Sequence, residues 1–275
     1  MHGSLHGRHA QLLGHLADGR TADVLVAIVN AKWGHFAVRI GDSMTHGGSR
    51  LVPAALQRVV LPFALLIAVM VGLGFLRTRV LADSWPFAME DQLMRTLVAM
   101  RTPTWDRVSD MVSLAAYTPG LTLAMVATAV TMRLALHRWR EVLFVGAAMV
   151  AQLGVYMLTA RVVARARPPV PELDDFPPMR SFPSGHVAAA VAIYCGAAMV
   201  LSMRVRRQGI VVMAWMVSLA IVIAVAISRL YRGMHYPSDV AASLVVGFGC
   251  LWVLKRAMFA DETARGVPQP GVRET

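Results

Sequence analysis

An all-α fold is predicted for this sequence, specifically a polytopic membrane protein folded as a six-transmembrane helical bundle, and three observations predict it. The first is composition: 56% of the 275 residues are hydrophobic and 16% are charged, a balance that suits lipid better than water. The second is segmentation. Apolar stretches run from Val59 to Leu76, Met111 to Met132, Val142 to Ala160, Val187 to Met203, Ile210 to Ser228 and Val240 to Leu254. Each approaches the ~20 residues that cross a hydrocarbon core of ~30 Å. The third is charge placement. The loops Arg133 to Arg140 and Arg204 to Arg207 and the segment at Lys255-Arg256 are basic, which assigns them to the cytoplasm, whereas Arg77 to Asp110 mixes five arginines with five acidic residues and is expected outside.

Taken in order, residues 1–48 hold six of the nine histidines and one short apolar run, Val24 to Val29, too brief to span a bilayer. A polar, flexible cytoplasmic extension is expected there, with Met44 an alternative start. His2, His6, His9 and His15 lack the cysteine or carboxylate pattern of a metal tract. No cleavable signal pattern opens the chain. The membrane domain is expected over residues 49–256 and a flexible cytoplasmic tail over 257–275. After the first span, Phe87 to Val108 sets Leu93, Leu97, Val98 and Met100 against Glu90, Asp91, Arg95 and Arg101, the pattern of an amphipathic helix on the outer membrane surface or of a helical hairpin over the bundle. Cys195 and Cys250 fall inside spans and are expected to pack as small apolar residues, not to form a disulfide. The net charge of +11 raises nucleic acid as a partner, but the arginines gather at span ends and not on one soluble face, so none is expected.

Threading six spans from a cytoplasmic amino terminus brings three polar clusters to one side. Arg161, Arg165 and Arg167-Pro168 close the third span, Pro183-Ser184-Gly185-His186 opens the fourth, and Ser228-Arg229 closes the fifth, followed by His235 and Asp239 at the mouth of the sixth. An extracytoplasmic active site at the helix ends follows. Arg167 and Arg229 present planar charged forks that match phosphate oxygens. Ser184 and Gly185, at a helix start, add a hydroxyl and backbone N–H donors. His235 is a nucleophile if Asp239, four residues on, keeps its other ring nitrogen protonated, and His186 is placed to protonate a leaving oxygen. Two other readings use the same residues. Two histidines and an aspartate suit zinc or iron, although neighbouring arginines repel a divalent cation. Alternatively, the charges cap helices and anchor in headgroups, the preferred reading for Arg165 taken alone and for His137.

These residues resemble the type 2 phosphatidic acid phosphatase superfamily, whose motifs run Lys-x6-Arg-Pro, Pro-Ser-Gly-His and Ser-Arg-x5-His-x3-Asp. Pro183 to His186 and Ser228, Arg229, His235 and Asp239 match the second and third residue for residue, and the resemblance covers about residues 55–256. It implies a metal-independent lipid phosphate phosphatase of the integral-membrane branch, needing no cofactor. His235 is then the nucleophile that forms a phosphohistidine, Asp239 its orienting partner, His186 the general acid, and Arg167, Arg229, Ser184 and Gly185 the phosphate ligands. The first motif departs: Ala160 stands at the lysine position and Arg161 one residue later, so Arg161 is expected to replace the lysine, with Arg165 as substitute. The expected setting is a bacterial inner membrane with the site facing the periplasm. Undecaprenyl diphosphate is the first choice of substrate and phosphatidic acid or phosphatidylglycerophosphate the next. A lipid-linked phosphotransferase and a non-catalytic flippase for anionic lipid are the alternatives.

Overall fold

The structure, a computed structural model, describes residues 56–174 and 180–264. The chain divides into a unit Met1–Leu56 and a unit Gln57–Thr275, and everything below concerns the second. The expected extension over residues 1–48 lies outside the described residues.

Among the described residues, eight helices of ten residues or more follow one another, with no strand. They are α1 (Gln57–Val80), α2 (Glu90–Ala99), α3 (Pro103–Leu114), α4 (Thr118–Leu136), α5 (Trp139–Val163), α6 (Gly185–Arg204), α7 (Gln208–Tyr231) and α8 (Pro237–Ala264). Six of them, α1 and α4 to α8, are long and apolar enough to cross a membrane. Their outward faces agree: Leu61, Leu65, Val69 and Leu73 on α1 and Met213, Met216, Ile223 and Ile227 on α7 are exposed. Water would not tolerate so continuous an apolar surface, whereas lipid does. The bundle is a multi-pass membrane domain.

Within it, α6 and α8 are central. Some 61% of the apolar window of α6 and 56% of that of α8 is buried, against 11% for α1 and 6% for α4. Small residues allow this, because helices in lipid associate through close packing and not through expulsion of water. Ala188, Ala189, Ala190, Ala192 and Ala198 line α6 and are all buried. On α8, a Cβ at Gly247 would sit 2.6 Å from the side chain of Val191, so only glycine permits this approach. Cys195 and Cys250 are buried, free thiols, packed as small apolar groups.

Two boundaries differ from the sequence expectation, each for a local reason. The second span begins at Thr118, not Met111: Tyr117, the amino cap of α4, is extended (φ −77°, ψ 158°), and Pro119 fits the first turn, where its missing N–H costs no helical hydrogen bond. Met111 therefore belongs to α3. The amphipathic segment is likewise two helices and not one: Pro103 breaks it, and the Thr102 hydroxyl caps α3 by accepting from the Trp105 N–H (3.3 Å). The hairpin reading describes it better. At the far end α8 continues to Ala264, beyond the expected boundary at residue 256. Phe259 packs edge-on against Phe144 at 5.5 Å and the Met258 carbonyl accepts from Arg140, which hold the start of that extension.

Candidate active site

The three clusters meet at one end of the bundle, where α5 and α7 finish and α6 and α8 begin. Ala164, in the left-handed conformation (φ 52°), ends α5 and turns the chain sharply. Arg165, just past that turn, enters the interior. Its Nη1 donates to Asp239 Oδ1 (2.5 Å) and to Ser238 Oγ (2.8 Å), its Nη2 donates to Glu90 Oε2 (3.0 Å), and its guanidinium lies 3.9 Å from the centre of the Tyr236 ring. Asp239, fully buried in the first turn of α8, fills its second oxygen with the Ser181 hydroxyl (2.5 Å) and the Tyr236 N–H (2.9 Å).

His235 is held by a different group than expected. Its Nδ1 lies 2.8 Å from the backbone carbonyl of Ser181, and no hydrogen bond joins it to Asp239. The reason is geometric: α8 starts at Pro237, so His235 precedes the helix and the i, i+4 relation does not hold. Ser181 stands between them, binding Asp239 through its hydroxyl and His235 through its carbonyl. A carbonyl only accepts, so Nδ1 carries the proton and Nε2 keeps its lone pair. Burial pushes the imidazole pKa down to about 3, helped by the charges of His186, Arg167 and Arg229 and resisted by the Ser181 carbonyl. At neutral pH the ring is therefore an uncharged nitrogen base. Gly233, at φ +80°, makes the tight turn that delivers His235 from the end of α7.

Carboxylates from the loop after α5 hold the two expected phosphate arginines. Arg229, fully buried, donates Nη1 to Asp174 Oδ2 (2.8 Å) and Nη2 to Ser113 and to the Tyr117 hydroxyl (3.4 Å). Asp174 also accepts from Arg232 Nε (2.5 Å) and the Tyr117 hydroxyl (2.7 Å). Burial alone would raise the Asp174 pKa, but these donors and the charge of Arg229 outweigh it and hold the carboxyl below its usual range. Arg167 pairs with Glu172 and points Nη1 at the Met234 sulfur (3.7 Å), beside His235. His186, on the first turn of α6, sets its ring edge-on to Tyr117 at 5.6 Å, and the Arg229 guanidinium lies 5.1 Å from the centre of that same tyrosine ring.

Among the described residues, three buried donors at this site have no partner: Arg167 Nε, Arg229 Nε and the Ser184 hydroxyl. An unmet buried donor is costly, and all three come from residues expected to bind an anion. The Ser184 N–H is already committed to the Ser243 hydroxyl (2.6 Å), which leaves its side chain as the available group. Gly185 begins α6 immediately beside the Tyr156 ring, 3.2 Å from where a Cβ would stand. The arrangement can hold a tetrahedral anion between fixed cations, next to a neutral imidazole nitrogen.

All of these clusters fall within residues 141–262, which match the family model described as the PAP2 superfamily. That stretch is similar to the PAP2 superfamily. Its similarity to a curated relative, decaprenylphosphoryl-5-phosphoribose phosphatase of Mycobacterium tuberculosis, is 34% identity over 116 residues, 40% of this chain; the chain spans 58% of the length of that relative. Among solved structures it resembles the transmembrane PAP2 type phosphatidylglycerolphosphate phosphatase from Bacillus subtilis, with TM-score 0.64 and 19% identity, over 74% of this chain and 98% of the other. At that identity the likeness concerns the fold.

The departure in the first PAP2 motif now has a structural counterpart. Ala160 is buried, and Arg161 stays exposed on the last turn of α5, away from the cluster. One residue on a helix is a rotation of about 100°, which turns Arg161 outward. Arg165 is the cation brought inside, contrary to its reading as a headgroup anchor. Sequence reasoning also missed Ser181, Asp174 and Glu90. Ser181 lies two residues before the Pro-Ser-Gly-His motif, which is the signal that would have raised it. Asp174 and Glu90 had none, because their partners lie 55 and 75 residues away along the chain.

Proposed function

We propose that this chain is a lipid phosphate phosphatase working through a phosphohistidine. The observation that carries the reading is that three buried donors, Arg167 Nε, Arg229 Nε and Ser184 Oγ, stay unmet at the helix end that carries a neutral His235 whose lone pair is on Nε2, with the charges of Arg167 and Arg229 acting on that ring. The match of residues 141–262 to the PAP2 superfamily model supports it. His235 Nε2 attacks phosphorus, the bond from phosphorus to the bridging oxygen breaks, and His186 donates a proton to that oxygen as it leaves. Water then attacks the phosphohistidine, His186 takes its proton, the P–N bond breaks, and inorganic phosphate departs. Arg167, Arg229, Ser184 and the Gly185 N–H neutralise charge that grows on the phosphoryl oxygens. Asp239 acts through Ser181 and not on the ring directly.

The substrate is a phosphate or diphosphate of a membrane lipid, since the site lies at the ends of membrane helices. Undecaprenyl diphosphate is the first choice. The 34% identity to a decaprenylphosphoryl-5-phosphoribose phosphatase supports a second, a phosphomonoester on a polyprenyl-linked sugar. The site faces the periplasm in this reading, in keeping with the basic loops at the opposite end. The test is phosphate release by purified protein from a panel of lipid phosphates, with His235→Ala as control. Release that the variant abolishes and that EDTA leaves intact is expected. Wild-type protein that binds these lipids but frees no phosphate would instead make it a flippase or carrier, and transfer of label to a lipid or sugar acceptor would make it a phosphotransferase.

A further inference from the structure

Glu90 belongs to α2, outside the membrane-spanning helices, and yet is buried. Its Oε2 accepts from Arg77 Nη2 (2.6 Å), Arg165 Nη2 (3.0 Å) and the Ser238 hydroxyl (3.0 Å), and its Oε1 accepts from the Ser238 N–H (2.7 Å). Both partners beyond Arg77 lead into the site: Arg165 binds Asp239, and Ser238 precedes it. A continuous hydrogen-bonded line therefore runs Glu90, Arg165, Asp239, Ser181, His235. A helix needing only an anchor on the bundle would not require a carboxylate with its donors on both sides of the Asp239 contact.

We propose that Glu90 is a positioning residue for the reaction: by fixing Arg165 and the amino end of α8 together, it sets Asp239 and, through Ser181, the direction of the His235 lone pair. This rests on the phosphatase reading above. The charge arithmetic favours it. Arg165 faces two carboxylates, Glu90 and Asp239, and without Glu90 its second donor edge has no acceptor, which frees the guanidinium to tilt away from Asp239. Burial raises the Glu90 pKa, but the donors from Arg77, Ser238 and Arg165 prevail and keep it below the ordinary value, so it stays charged at neutral pH. A recess of about 590 Å³ opens beside it, lined by Glu90 and Ser238 together with Phe87, Met89, Leu93 and Pro237.

The test is a double-mutant cycle on the purified full chain with Glu90→Gln, Arg165→Gln and both, reading kcat, KM and the ¹⁵N spectrum of labelled histidines. Glu90→Gln is expected to lower kcat about tenfold or more, with KM within about threefold, because the phosphate ligands are untouched. In the Arg165→Gln background it is expected to cost nothing further, the signature of two residues acting through one path. The His235 resonance is expected to move in either single variant and to move no further in the double. Additive losses, or an unmoved His235 signal in folded Glu90→Gln protein, overturn the proposal. If wild-type protein frees no phosphate the functional reading fails alone, since the histidine spectrum still decides whether the line exists.

Discussion

At the end of the bundle away from the site, Glu141 opens α5 fully buried and accepts from Arg204 Nε at the close of α6 (2.7 Å), with the Arg204 guanidinium 5.5 Å from the centre of the Phe259 ring. At the site end, Arg165, Arg167, Arg229 and Arg232 are likewise paired with Glu90, Asp239, Glu172 and Asp174. The two ends use similar chemistry to different effect. The Glu141 pair joins two helices and sits apart from both catalytic histidine candidates. The site-end pairs hold guanidinium groups by their outer edges and leave Arg167 Nε and Arg229 Nε unmet. Buried ion pairs are thus an ambiguous sign of function, and so is a leftover atom by itself, since Glu141 Oε2 is also buried without a partner; the informative sign is that leftover donors share the helix end that carries His186 and His235.

The sharpest way to test that contrast is to remove the nucleophile. His235→Asn keeps a hydrogen-bonding side chain of similar reach, so folding is expected to persist while phosphate release falls more than about a thousandfold. Comparable residual turnover would show that the site-end network is as structural as the Glu141 pair. Next in size is Asp174→Asn. Removing the charge shared by Arg229, Arg232 and Tyr117 is expected to raise KM by about ten- to a hundredfold, as losing charged hydrogen bonds of ~1.5–3 kcal/mol would. An unchanged KM with lower thermal stability would move Asp174 into the same category as Glu141.

The pH dependence of stability follows from the same carboxylates and from His235. Asp174 and Glu90 both have pKa values lowered in the folded protein. Their contribution is complete above the unfolded value of ~4 and is lost as pH falls through the lower folded values. The melting temperature is therefore expected to decline from about pH 6.5 downward, because His235 is held neutral in the folded protein and takes a proton first when unfolded, and below about pH 4 the carboxylates add a steeper drop. Asp174→Asn should flatten that drop, which a thermal scan between pH 3 and 7 measures.

What could be read from the sequence divides along the same line. The helices, the central place of the small-residue segments and the meeting of His186, Arg229 and His235 followed from period, length and alternation of sides. Those are local or topological properties, and lipid as solvent leaves few alternatives. The hydrogen-bond partner of His235 did not follow, because it depends on whether the chain is already helical at residue 235, which Pro237 decides. Nor did Glu90 or Asp174, since a buried carboxylate and a solvated one look alike in a segment that mixes acids and arginines.

Smaller effects separate the two ends further. Glu141→Gln is expected to lower stability by about 3 kcal/mol, since breaking a buried pair strands the other charge, while kcat stays within about twofold. A large loss of kcat would tie the remote end to the site. The smallest effect belongs to Arg161, the residue that sequence spacing favoured as the stand-in for the missing lysine. Because it is exposed on the last turn of α5 and Arg165 holds Asp239, Arg161→Ala is expected to change kcat/KM by less than about twofold, whereas Arg165→Ala should lose at least tenfold. The reverse ranking would mean that α5 rotates when substrate binds, bringing Arg161 inward. The Ala164 turn would then be a hinge and not a fixed corner.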